Sequence, residues 1–243
     1  MKHGDDFSTN ATLKAMHCAI NWPALADPGI SIALYTDDKS LDEQQMLSGL
    51  ATGERVLAQS LVVASERRHY ILRRLFQRLF VKSVLGWNGA LRDLVIEHQL
   101  DTQPKCLNDP NLHLSFSSSG ATALACATRL HRVGIDLEKC RLVENVTALA
   151  KRFFTIKEAS TIAAMPVADQ NLAFLKYWTA KEAGLKAIGK GIVSGLNSFV
   201  INIKDNDYII ENVSEIEKDM TWSVRFGDFL QHHVVAVVHS SLK

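Results

Sequence analysis

The chain has 243 residues, 47% of them apolar and 22% charged, with 27 basic side chains against 26 acidic ones. That is ordinary soluble globular composition, long enough for one large domain or two small ones. The near-neutral balance gives no global field for nucleic acid or for an anionic membrane surface, so any anion site must come from local clustering. Cys18, Cys106, Cys126 and Cys140 form no CxxC pair, which leaves a zinc site without support and fits reduced thiols in a cytosol. Met1 to Asn10 lacks the apolar core of a signal peptide, and no apolar run approaches a membrane span, so the expected location is cytoplasmic.

Residues 1–28 carry few signals and are expected to wrap the surface. Gly29 to Thr36 alternates loosely, with Ile30, Ile32 and Leu34 on one face, and reads as a first strand. Leu41 to Leu61 has a weak helical pattern. Glu66 to Leu85 is the clearest N-terminal helix, because Leu72, Leu75, Phe76 and Leu79 recur at helical spacing and Gly86 supplies a stop. Arg67, Arg74, Arg78 and Lys82 line another face of it, expected to be solvated. Pro104 and Pro110 mark a loop over Thr102 to Asn111 that would separate two halves, residues 1–112 and 113–243.

Three strands are expected next, at His113 to Ser117, Ala121 to Thr128 and Arg132 to Leu137. Two helices follow, over Val143 to Phe154 and Ala168 to Ile188. The tail reads as strands at Ser198 to Lys204, Tyr208 to Val213, Thr221 to Phe226 and His233 to Ser240. Each half offers strand, helix and strands. The fold class is therefore α+β, with a duplicated unit in which each half is a small antiparallel sheet packed with helices.

Three constellations bear on chemistry. In Gly134-Ile135-Asp136-Leu137-Glu138, a strand would place Asp136 and Glu138 on the same side. Two adjacent carboxylates repel unless a cation, a proton or an arginine intervenes, and hard oxygen ligands with room for waters suit Mg²⁺; a solvated strand end is the plainer reading. Trp178, Glu182 and Lys186 share one helical face, so Glu182 would complete a three-carboxylate site and Lys186 would hold a phosphate one turn on; an ordinary Glu–Lys pair is the plainer reading. Gly189 and Gly191 just beyond invite close backbone approach. Ser115-Phe116-Ser117-Ser118-Ser119-Gly120 is either a polar turn or a cradle of hydroxyls and amides for phosphates.

The ordered set resembles the 4′-phosphopantetheinyl transferases of the Sfp type. That family carries G-[IV]-D-x-E, then R-F-F-x-x-x-E, then W-x-x-K-E-x-x-x-K with G-x-G just beyond. Here these are Gly134 to Glu138, Arg152 to Glu158, and Trp178 to Lys186 with Gly189 and Gly191. The family's K-P loop and H-F-N-x-S-H-S strand correspond to Gln103-Pro104 and His113 to Ser119, and the resemblance runs from about Glu54 to the C-terminus. Two positions depart: Ser118 stands where the family has a histidine that contacts a coenzyme A phosphate, and Gln103 stands where it has a lysine.

The resemblance implies transfer of the 4′-phosphopantetheine arm of coenzyme A to a serine of an acyl, polyketide or peptidyl carrier protein, with release of 3′,5′-ADP. It implies an active site at the junction of the two halves, for which a monomer suffices. Asp136, Glu138 and Glu182 would hold Mg²⁺ beside the pyrophosphate. Asp136, Lys181 and Lys186 would contact coenzyme A, Ser117, Ser118 and Ser119 would offer hydroxyls or amides to it, and Arg55, Arg73 and Lys105 would serve its 3′-phosphate and adenine side. Glu182 would accept the serine proton, with Lys186 beside it and Glu158 in support. The Arg152–Lys157 surface would meet the carrier, with Phe153 or Phe154 as anchor unless both are core. The alternatives are a degenerate coenzyme A- or carrier-binding protein without transfer, and a metal-dependent phosphohydrolase using the same carboxylates.

Overall fold

The computed structural model describes Met16 and residues 29–37, 39–99, 102–190, 195–204, 207–211, 220–227 and 232–242. The expected surface wrap of residues 1–28 therefore lies outside the described residues, except Met16, which is buried in the first core. Gly191 also lies outside them.

The first half contains β1 (Ser31–Thr36), α1 (Glu43–Met46), α2 (Thr52–Ser60), α3 (Ala64–Leu85), β2 (Ile96–Glu97), β3 (Lys105–Cys106), β4 (His113–Ser119) and β5 (Thr122–Thr128). The second contains β6 (Val133–Lys139), α4 (Val146–Phe153), α5 (Ile156–Ala164), α6 (Val167–Ile188), β7 (Val200–Lys204), β8 (Asp207–Glu211), β9 (Met220–Gly227) and β10 (His233–Leu242). Two antiparallel sheets result, in the orders β1-β5-β4-β3-β2 and β6-β10-β9-β8-β7. Each sheet is backed by one 22-residue helix, α3 or α6. Both helices end on a glycine in the left-handed region, Gly86 at φ 61° and Gly189 at φ 76°.

Strand alternation explains the layering. On β1 and β5, Ala33, Tyr35, Ala123, Ala125 and Ala127 face α3, while Ile32, Leu34, Leu124 and Cys126 face the other sheet. On β6 and β10, Val133, Ile135, Leu137, Val235 and Val237 meet them, giving a dry seam between the sheets. The remaining positions of those strands, with Ala236 and Val238 among them, turn toward α6. The order is therefore helix, sheet, sheet, helix, and the halves are similar.

Several expectations need correcting. The change of sheet falls at residues 129–132 rather than at 112, because β4 and β5 form a hairpin that pairs with β1. Leu41–Leu61 is two short helices around a 3₁₀ turn (Leu47–Gly49), since Met46, Leu47 and Leu50 are drawn into the first core. The cationic face of α3 is not solvated: Arg74 and Arg78 both donate to Glu54 at 2.7 Å, and Arg78 also caps the carbonyls of Leu91 and Leu94. Lys82 donates to the Trp87 carbonyl at 2.8 Å. An extra helix, α5, starts at a capping box in which Thr155 and Glu158 satisfy each other's backbone N–H groups.

Candidate active site

β6 is the edge strand of its sheet, and its free edge lies against the first half. Gly134 has no side chain there because α6 leaves no room: a Cβ would lie 2.0 Å from the Ala183 carbonyl and 2.6 Å from the Ala187 nitrogen. That close approach brings the next residues on the same face of β6, Asp136 and Glu138, beside the α6 residues Glu182 and Lys186. Asp136 is buried, at 6% exposure. Its Oδ1 accepts from Lys186 Nζ and from Ser117 Oγ, each at 2.8 Å, while Oδ2 is buried without a partner among the described residues. Lys186 Nζ also reaches the edge carbonyl of Ile135 at 3.2 Å, and Ser115 Oγ accepts from the Ile135 N–H at 3.0 Å.

The electrostatics follow from crowding three acids. Burial, then the charge of Asp136, push the Glu182 carboxyl up to about 7; Lys186 opposes this and Glu138 adds to it. Glu138 is raised for the same two leading reasons, against the pull of Arg141, Lys186 and a hydrogen bond from the Trp178 indole. As they are placed, no three His, Cys, Asp or Glu side chains among the described residues stand at metal-ligating spacing. The acids share one field nonetheless, and Lys186 compensates part of it through Asp136 Oδ1.

A cavity of ≈ 330 Å³ opens beside this cluster and is walled by both halves: Gln77, His98, Thr102, Gln103, Pro104, Ser115 and Phe116 from the first, and Glu182, Leu185, Lys186, Gly189 and Lys190 from the second. His98 stacks on Phe116 at 6.0 Å, and burial followed by the neighbouring Arg74 hold its imidazole down at about 4, so it is neutral at physiological pH. Gln77 and Phe116 also wall a smaller cavity of ≈ 80 Å³, shared with Arg73, Ser117 and Ser118.

The structure sorts the expected residues. Asp136, Glu138, Glu182, Lys186 and Ser117 come together, and Arg73 and Ser118 share the smaller cavity. Arg55 on α2 and Lys105 on β3 line neither cavity. Ser119 is part-buried and lines neither as well. Lys181 is a correction: it is fully buried on another side of α6, 2.9 Å from Glu158 Oε1 and 2.7 Å from the Phe199 carbonyl. Five residues past Lys181, Lys186 has turned by about 140° around the helix. Glu158 is likewise structural, spent on Lys181, Ile201 and its own capping box. Phe154 is core at 4% exposure, and Phe153 packs edge-on against Trp178. Gln77 and His98 as cavity walls escaped the sequence, since neither belongs to a motif signal, whereas Gln103 was marked only through the K-P loop of the resemblance.

The family model described as the 4′-phosphopantetheinyl transferase superfamily matches residues 132–238, which is the whole of the second sheet and α6 apart from the last residues of β10. Among curated relatives, the 4′-phosphopantetheinyl transferase psf-1 of Bacillus pumilus is 28% identical over 59% of this chain and 62% of its own length. HetI of Nostoc sp., a 4′-phosphopantetheinyl transferase, is 29% identical over 61% and 63%. Sfp of Bacillus subtilis, another, is 30% identical over 56% and 61%. The chain thus spans about three-fifths of the length of the relatives it matches. The strand of Asp136 and Glu138 and the helix of Glu182 and Lys186 both fall inside the matched region, and it is in this part of the chain that the likeness to the 4′-phosphopantetheinyl transferase superfamily lies.

Proposed function

We propose that this chain transfers the 4′-phosphopantetheine arm of coenzyme A to the serine hydroxyl of a carrier protein, with Mg²⁺ as the metal. The observation that supports it most is the buried Asp136 Oδ2, without a partner among the described residues, next to two carboxyls whose pKa values are raised by burial and then by the charge of Asp136. Such a set of hard oxygens fits a small divalent cation better than it fits any arrangement of these side chains alone. Asp136, Glu138 and Glu182 would hold Mg²⁺, which when bound would neutralise pyrophosphate charge as the leaving group departs.

The chain's own residues do the rest. Lys186 exchanges its contact with Asp136 for a pyrophosphate oxygen, a charge-assisted bond of the stronger kind. Ser117 is released by the same exchange and can donate its hydroxyl to a neighbouring phosphate oxygen. Arg73 and Ser118, lining the small cavity, suit the 3′-phosphate side. Glu182 accepts the proton of the carrier serine while the serine oxygen forms its bond to the β-phosphorus and the phosphoanhydride bond to 3′,5′-ADP breaks. His98 and Phe116 give the cavity an apolar, neutral wall that limits water.

The test is labelling of a panel of apo-carrier proteins with fluorescent coenzyme A. The reading expects Mg²⁺-dependent labelling of at least one carrier that stops in EDTA. Binding of coenzyme A with no label on any carrier would select the non-transferring alternative, and phosphate or 4′-phosphopantetheine release without carrier would select a hydrolase.

A further inference from the structure

The loop from the first half meets the second through one side chain, Gln103. Its Nε2 lies 2.8 Å from the Lys186 carbonyl, 3.2 Å from the Ala187 carbonyl and 3.0 Å from the Val133 carbonyl. Lys186 and Ala187 belong to the last turn of α6, where carbonyls lack the interior i+4 partners and the Lys186 carbonyl otherwise accepts from the capping Gly189 N–H at 3.1 Å. Val133 is on the free edge of β6, where a carbonyl has no neighbouring strand. One amide therefore satisfies the helix that carries Glu182 and Lys186 and the strand that carries Asp136 and Glu138. Two N–H groups serve three acceptors, so one is shared. Both donors are thus engaged by protein carbonyls, which leaves Gln103 none to give a phosphate in the cavity it lines.

We propose that Gln103 is a positioning residue: a side-chain clamp from the first half that sets α6 against β6, and so sets Lys186 against Asp136. This rests on the reading of the cavity as the site of transfer. The neighbours of Gln103, Thr102 and Pro104, line the same cavity, so the clamp also fixes the loop that forms its mouth. Val133 and Lys186 are held to the same nitrogen, and a slip of either would misplace the 2.8 Å Lys186–Asp136 contact directly. A misplacement of about 1 Å at reacting groups can lower a rate by about a hundredfold.

The experiment has a ligand-free arm and a kinetic arm. Gln103→Met keeps the length of the side chain and removes its donors, whereas Gln103→Lys restores donors. Hydrogen exchange on the protein without substrate should show the amides of Gly189 and Lys190, which close the last turn of α6, exchanging about tenfold faster in Gln103→Met and near the wild-type rate in Gln103→Lys. In steady state, Gln103→Met should lower kcat about tenfold or more with the KM for carrier unchanged, and Gln103→Lys should recover most of it. Wild-type exchange in Gln103→Met overturns the clamp, as does faster exchange with kcat intact. An equal loss in both variants overturns it too. If the wild-type protein labels no carrier, the transferase reading fails, while the exchange arm still decides whether Gln103 holds the helix end.

Discussion

Helix α6 carries two lysine–carboxylate pairs, and the difference between them separates a structural element from a chemical one. Lys181 and Glu158 are at 0% and 1% exposure, and their polar atoms are occupied: Lys181 meets Glu158 and the Phe199 carbonyl, while Glu158 also accepts from Ile201 and Thr155. Lys186 and Asp136 are a pair of similar length, 2.8 Å, but the lysine side chain is 32% exposed and one Asp136 oxygen has no partner among the described residues. A closed network locks α5, α6 and β7 together, and burial lowers the Lys181 pKa against the pull of Glu158. The open pair has room to exchange partners, and beside it burial and then the charge of Asp136 raise the Glu138 and Glu182 carboxyls.

Four variants would break or sharpen that contrast. Asp136→Asn removes the charge at the open pair without changing its shape. Carrier labelling should fall at least about a thousandfold, a loss of about 4 kcal/mol, with the melting temperature held or raised. Glu158→Ala breaks the closed pair and leaves Lys181 buried alone, which should cost about 3–5 kcal/mol and lower the melting temperature by roughly 10 °C in a chain of this size. Labelling per folded molecule should be unchanged, and Glu158→Ala combined with Lys181→Met should recover much of the stability in a double-mutant cycle.

Glu182 supplies a smaller and pH-dependent effect. Its carboxyl titrates at about 7 in the folded protein against 4.5 ordinarily, so between those values the folded state binds more protons than the unfolded one. Stability should therefore fall as pH rises from 4.5 toward 7, with the full penalty above. Glu182→Gln should remove that slope and raise the metal-free stability above pH 7 by about 1–2 kcal/mol, discounted for solvent screening at a half-open site. Thermal melts across pH in EDTA measure it. The smallest effect is expected from Ser118→His, which adds a donor at the small cavity. The KM for coenzyme A should stay equal or improve, and a large loss would place the β4 loop differently.

What could be read from sequence was what local periodicity controls. The alternation of Val133 to Glu138 placed two carboxylates on one face, and the i, i+4 spacing of Glu182 and Lys186 placed an acid and a base on one side of α6; the structure brings the two sets together. Gly134 is the physical reason they meet, since any Cβ there would hold the helix off the strand. What stayed hidden depends on partners far along the chain. The arginine face of α3 reads as solvated until Glu54, 20 and 24 residues earlier, is seen to take both guanidinium groups. Lys181 reads as a second phosphate ligand because four residues from Tyr177 or five to Lys186 do not reveal which side of α6 is covered by Phe199 and Glu158. The α5 helix was legible in principle, for Thr155-Ile-Lys-Glu158 is a capping-box pattern. The sheet boundary was not, because it depends on the non-local pairing of β1 with β5.

The measurement closest to the central claim is the intact mass of a purified apo-carrier after incubation with coenzyme A and Mg²⁺. The account predicts a gain of one phosphopantetheinyl arm on the carrier serine with the wild-type chain, and none with Asp136→Asn or in EDTA. A full gain with Asp136→Asn, or with the metal stripped, would contradict it.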